Sequence, residues 1–399
     1  MSFDIALSGI QAINEQLTAT SNNIANAGTY GFKSSRANFA AMYAGSQPTG
    51  VEVGSHTQNI GLNGGVLNTG RGLDASVNGR GFFVTRDAQG QMSYTRVGIF
   101  SVDKGGNLVD SAGRNVQGYA KVAGSTAQGL MGNLTVPTGQ IAAVASTKVD
   151  YVGNVSADWP LPPTTPFNAA DPSSYNMLKV TALYDSLGTK HTLTQYFVKD
   201  AAPGSVKAHY SFDNVAMPAA TTVTLTFNAS GQLTAPAAAV ALTVATPGNG
   251  AAPLAINLNY AGTTQFAGEA VTSTNNADGN SSGTFLDAQL ANDGSLVARY
   301  SNGMRQTVGT IALGTFANEG ALTAINDTSW TASTDSGAAL YDAPGTGMAG
   351  SLATSTLEQS NVDITSELVG LMTSQRNYQA NSKVLSTENA MLQSLMQAL

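Results

Sequence analysis

Cysteine is absent from the chain, which excludes disulfides, thiolate metal sites and cysteine nucleophiles. Charge is scarce too, at 11% of residues against about 25% in an ordinary soluble domain. The 18 Lys and Arg are spread along the chain and the formal net charge is -7, which argues against a nucleic-acid partner, since phosphate binding needs clustered cations. No apolar run approaches the roughly 18 residues of a bilayer span, the nearest being Ala237 to Ala245, so no membrane insertion is expected. The opening MSFDIALSGI carries Asp4 where a secretory leader wants a basic residue, and no cleaved signal peptide is expected.

Catalytic patterns are missing as well. His56, His191 and His209 stand in separate segments with no second histidine at metal-ligand spacing, and read as strand or surface residues. There is no GxSxG elbow. Asn78-Gly-Arg-Gly81 and the Gly61 to Gly65 cluster open no predicted helix, so they lack the free N–H groups of a phosphate cradle and read as turns. The expectation is a chain that is not an enzyme, with no catalytic residue, cofactor or metal ligand.

What is present is concentrated at the two ends. Phe3, Ile10, Leu17 and Ile24 form a heptad stripe at the start, and Ile364, Leu371, Tyr378, Leu385, Leu392 and Leu399 form another at the finish. Apolar residues seven apart keep one helix seam facing a partner helix. Ile13 widens the first stripe, and Leu368, Leu395 and Met396 widen the second. The first helix should stop near Ala27, with Gly28 as a left-handed cap.

Between the stripes the period falls to two. Gly81 to Thr85, Met92 to Arg96, Phe285 to Leu290, Leu296 to Tyr300 and Val308 to Leu313 read as strands. Asp or Asn stands three residues before Gly at Asp87, Asp103, Asp110, Asp185 and Asn228, with Asn292-Asp-Gly294 a shorter relative. The spacing predicts hairpin turns closed by the side chain, with Gly at positive φ; calcium would need a DxDxDG pattern that does not occur. Two punctuated stretches, Trp159 to Pro166 and Thr272 to Gly283, are expected to flank an inserted domain. The predicted fold is mainly β with terminal α-helices. Helices over 1–27 and 361–399 form a coiled coil, 28–70 connects, an inner β domain takes 71–145 and 284–360, and an outer β domain over 146–283 is inserted in it.

The terminal helices are weak on their own. Thr18, Thr20, Ser21, Asn22 and Asn23 are poor helix formers, and residues 1–27 hold no basic side chain to pair with Asp4 or Glu15. The expectation is that they are largely disordered in a free subunit and fold when many subunits pack together; an intramolecular coiled coil in a monomer is the competing reading.

Four motifs carry a resemblance. Ser21-Asn-Asn-Ile-Ala-Asn-Ala-Gly-Thr-Tyr-Gly-Phe-Lys33 resembles the N-terminal signature of bacterial flagellar rod and hook proteins. Leu73-Asp-Ala-Ser-Val-Asn-Gly-Arg-Gly-Phe-Phe83 is similar to the second motif of that family, and Tyr94-Thr-Arg-Val-Gly-Ile-Phe100 to its third. Ser360-Asn-Val-Asp-Ile-Thr365 through Gln375-Arg-Asn-Tyr-Gln-Ala-Asn381 resembles its closing motif. Chain length and Tyr184 to Leu193 resemble the hook members, whose outer domain the rod members lack.

The resemblance implies a structural subunit that self-assembles into a curved, hollow, flexible tube passing motor torque from rod to filament. It implies further partners: the distal rod protein, hook cap, hook-filament junction proteins, hook-length ruler and flagellar type III export apparatus. The implied location is the extracellular hook of the bacterial flagellum, reached without a cleaved signal peptide. The implied subunit interface is the set of stripe residues Phe3, Ile10, Ile13, Leu17, Ile24, Ile364, Leu368, Leu371, Tyr378, Leu385, Leu392, Leu395 and Leu399 in the inner tube wall. A distal rod protein is the alternative within the family. A secreted adhesin or fibre is the alternative outside it, but it needs a signal peptide and one anchor rather than two stripes.

Overall fold

The computed structural model describes residues 2–121, 128–244 and 248–398. The chain folds as two compact units. The first comprises Met1–Pro137, Asp287–Arg299 and Arg305–Leu399; the second comprises Thr138–Leu286 and Tyr300–Met304.

In the first unit helix α1 (Ser2–Ala25) and helix α2 (Ile364–Ala398) pair with each other, and α1 also packs on a long antiparallel hairpin, β1 (Ser35–Ala44) with β2 (Gln47–Gln58). That hairpin lies in the segment expected only to connect. Its strands alternate half-buried and exposed residues, so their apolar content is too thin to stand out as a core strand. Gly28 does not cap α1. The left-handed residue is Gly31 at φ 67°, where a Cβ would stand 3.1 Å from the Arg96 backbone. Asp363 caps α2: its Oδ1 accepts from the Thr365 N–H at 3.0 Å and its Oδ2 from the Ser366 hydroxyl at 2.8 Å.

The β part of this unit is antiparallel. Phe82–Arg86 pairs with Met92–Thr95 and with Asn115–Lys121, which pairs in turn with Arg305–Ile311. Phe82 and Val84 are fully buried with Tyr94, Phe316 and Trp330, and Tyr94 meets Phe316 edge-on at 4.7 Å. Two short ladders gather the distant ends: Ser351–Thr354 pairs with Ala75–Asn78, and Thr356–Glu358 with Val66–Asn68.

The second unit is a pair of sheets around one core. Lys148–Asn154 lies between Leu254–Asn259, parallel to it, and Val271–Ala277, antiparallel. The other sheet runs Met177–Tyr184, Lys190–Lys199, Ser205–Phe212, Val223–Phe227 and Leu233–Ala235. Alternation aims Val149, Tyr151, Leu193, Phe197, Ile256 and Leu258 into the shared core. Trp159 to Pro166 falls inside this unit, and Thr272 to Gly283 stands beside the end of its long segment at Leu286. The first half of the second, TSTNNA, belongs to an edge strand. Polar residues suit an edge, and Asn275 uses its amide to accept from Thr181 at 2.6 Å and donate to the Val180 carbonyl at 3.0 Å.

The Asp-to-Gly turns share one geometry. Asp87, Asp110, Asp185 and Asn228 each accept on Oδ1 from the N–H groups two and four residues on, at 2.8–3.0 Å. The following Gly takes φ between 72° and 89°. All three histidines lie in strands. Among the described residues no helix is long and apolar enough to cross a membrane.

Candidate assembly interface

The two helices run antiparallel. Gly9 faces Asn381, and Asn23 Nδ2 donates to Glu367 Oε1 at 2.8 Å, which fixes one register along their length. On α1 the apolar series Phe3, Ile10, Leu17, Ile24 has a companion three residues on: Ala6, Ile13 and Thr20 are buried. On α2 the companion to Ile364, Leu371, Tyr378 and Leu385 is polar: Glu367, Ser374, Asn381 and Glu388 turn inward and Ser374 is fully buried. The seam is therefore apolar in one row and small or polar in the next. Apolar periodicity points to the first row and passes over the second, whose only signal is its constant offset of three.

Of the predicted interface residues, Ile13 is buried in the subunit and Ile10, Leu17, Ile24, Leu371 and Leu385 are half-buried. Phe3, Ile364, Leu368, Tyr378, Leu392 and Leu395 remain exposed, as do Val369, Met372, Met391 and Met396. Leu399 lies outside the described residues. The long α2 thus carries an apolar face that no described residue of its own chain covers. On the other side α1 is tied to the hairpin, where the Val51 N–H donates to Ser8 Oγ at 3.2 Å.

The helices are anchored by a cluster that charge patterning does not announce. Lys33, Arg96 and Glu358 are all fully buried. Lys33 Nζ donates to Glu358 Oε1 at 2.6 Å and to the Leu62 carbonyl at 2.7 Å. Arg96 reaches Glu358 Oε2 at 3.3 Å, the Val77 carbonyl at 3.2 Å and the Gly79 carbonyl at 2.8 Å. Burial holds the Lys33 ammonium below the ordinary lysine range, against the pull of Glu358. Nearby, Asn23 is buried and bridges both strand and helix, donating to the Ser35 carbonyl at 2.8 Å and accepting from the Ser35 N–H at 2.9 Å. Asn361 Nδ2 donates to the Asn59 and Leu62 carbonyls at 2.9 and 3.0 Å. Four separate sequence motifs, around Asn23 to Lys33, Gly79, Arg96 and Asn361, converge here. A buried ion cluster of this kind fixes geometry more than it adds stability, because desolvation offsets much of the attraction. The arrangement holds two long helices at a set exit from the β part.

Comparison with known proteins agrees over the whole length. Three family models match: Flagellar hook protein FlgE/F/G D1 domain over residues 76–157, Flagellar basal body protein FlaE D2 domain over 154–280, and Flagellar basal body rod FlgEFG protein C-terminal over 353–398. The flagellar hook protein FlgE of Escherichia coli is 38% identical over 405 residues, 99% of each chain. Its namesake in Salmonella typhimurium is 37% identical over 403 residues, again 99% of each, and that of Rhizobium meliloti 31% over 407 residues, 98% of this chain and 97% of the other.

Proposed function

The chain belongs to the flagellar hook protein family, and from that membership we propose that α1 and α2 form the inner wall of a hollow tube, with the β units outside. The protein is a structural subunit of the bacterial flagellar hook and assembles with copies of itself. The observation that carries the wall assignment is the bare apolar face of α2. Ile364, Leu368, Met372, Leu392 and Leu395 are 47–60% exposed although they recur at helical spacing. A subunit that always meets its own kind can leave such a face for neighbours to cover.

On this reading the tube is curved and flexible and carries torque from rod to filament. Its further partners are the distal rod protein, a cap, the hook-filament junction proteins, a length ruler and the type III export apparatus, and the assembled hook is extracellular. The domain division proposed from sequence places 1–27 and 361–399 in the wall, 28–70 as the connection, 71–145 with 284–360 as the inner β domain and 146–283 as the outer one. Induced polymerisation of the purified protein, imaged by electron microscopy, tests the assignment. Curved tubes are the expected product. Straight rods would transfer it to the distal rod, and the absence of any polymer would overturn it.

A further inference from the structure

Among the described residues, the register of the helix pair leaves one end of α2 without a partner helix from its own chain. With Gly9 opposite Asn381 and Asn23 opposite Glu367, Ser2 stands opposite Glu388. From Asn389 to Ala398, α2 runs on past the start of α1 for about 15 Å at about 1.5 Å per residue. The seam that faces α1 continues onto this overhang: Leu371 and Leu385 lead by sevens to Leu392, and Asn381 and Glu388 lead to Leu395. The inward polar row turns apolar where its partner helix stops. Leu392 is 52% and Leu395 60% exposed, flanked by the still barer Met391 and Met396. The overhang carries no charged residue after Glu388.

A cavity lies where this helix pair meets the β1–β2 hairpin. It measures about 350 Å³. The small residues Gly9, Ala12 and Ala380 keep it open, and Ile13, Phe39 and Val51 give it apolar walls; no charged residue lines it. The overhang cannot fold back into the cavity of its own subunit, because both lie along the one straight helix α2.

We propose that the α2 overhang of one subunit seats Leu392 and Leu395 in this cavity of a second copy. Neither surface has a charged side chain to desolvate, and the leucines meet the apolar wall of Ile13, Phe39 and Val51 with the amides of Gln16, Asn377 and Asn381 at its rim. The two surfaces differ, which makes the interface head-to-tail, and such an interface generates an open helical array instead of a closed dimer. The contact rests on the assembly reading above and names its axial joint.

The absence of cysteine provides the test. Gln16→Cys, at the cavity, is combined in turn with Leu392→Cys, Leu395→Cys and Met396→Cys, and tubes grown under reducing conditions are then oxidised. Within one subunit these sites are at least about 27 Å apart along the helix, whereas a disulfide needs Cα atoms within about 7 Å. The expected result is a ladder of covalent multimers for at least one pair, with each single-cysteine variant stopping at dimers. Tubes that yield no ladder with any pair overturn the seating and leave the assembly reading standing; unmodified chain that forms no tubes overturns the assembly reading instead. Ala380→Trp, at a position exposed in the subunit, fills the cavity without entering a core. It should lower polymer yield tenfold or more with the melting of the second unit unchanged, and an unchanged yield would contradict the proposal.

Discussion

The second unit and the helix pair solve the same problem in opposite ways. In the second unit two sheets enclose Tyr151, Phe197, Leu225 and Ile256, and the hydroxyls of Tyr210 and Tyr260 find their partners inside the core. Tyr260 donates to Gln195 at 2.6 Å and pairs with Tyr210 at 2.9 Å. The helices bury a seam of small and polar side chains and leave their largest apolar residues bare. One region is finished within the subunit and the other, on the proposed wall assignment, is finished by assembly, so a substitution on α2 and one in a sheet should report on different events.

The largest separation is expected from Leu395→Asp. A carboxylate placed in a contact that is dry only in the polymer costs several kcal/mol per subunit, about a thousandfold or more in critical concentration. The free subunit, in which Leu395 is already exposed, should melt unchanged. Sedimentation of polymer together with thermal denaturation of monomer checks both halves. Leu385→Asp, half-buried against α1, should weaken the helix pair as well.

Next in size is Glu358→Gln. It strands Lys33 and Arg96 in the interior without their shared carboxylate, and should destabilise the first unit by about 3 to 5 kcal/mol. Denaturant unfolding followed separately for the two units should show the second unaffected. An equal loss in both would mean that the regions are not independent.

The smallest effect is a pH dependence confined to the second unit. Burial disfavours the charged form of His191, but hydrogen bonds to Asp213 at 2.6 Å and Asp185 at 3.2 Å outweigh it and raise its pKa. Both carboxylates are held low: burial pushes them up, but the Asn249 amide and the Thr189 N–H at Asp185, and His191 and the Thr192 N–H at Asp213, outweigh it. The raised histidine contributes stability that is complete below its unfolded value, about 6.5, and is lost as pH rises through the folded value. The lowered carboxylates contribute stability above their unfolded values, near 4, that is lost as pH falls through the folded ones. The second unit should therefore be most stable between about pH 4 and 6.5 and melt lower at pH 9, and His191→Gln should flatten the alkaline limb.

Sequence patterning carries the parts of this molecule that are governed by local rules. Heptads place α1 and α2, and the Asp-to-Gly spacing places the turns, because a helix face and a turn are each built within a few residues. The anchoring cluster is illegible for the opposite reason: Lys33, Arg96 and Glu358 come from segments far apart, and a lone charge in a sequence reads as solvated surface. The strand at Val271–Ala277 was hidden by its Asn and Thr content, which an edge position tolerates. Ser374 and Asn381 were hidden because a polar row can line a helix seam when its partner offers Gly9 and Ala6.

Amide hydrogen exchange along α2, compared between free subunits and tubes, tests the central claim most directly. The account predicts rapid exchange over 364–398 in the free subunit, fastest past Glu388, and strong protection once tubes form, while the strands of the second unit are protected equally in both. Strong protection of the α2 overhang before assembly, or no gain on assembly, would contradict it.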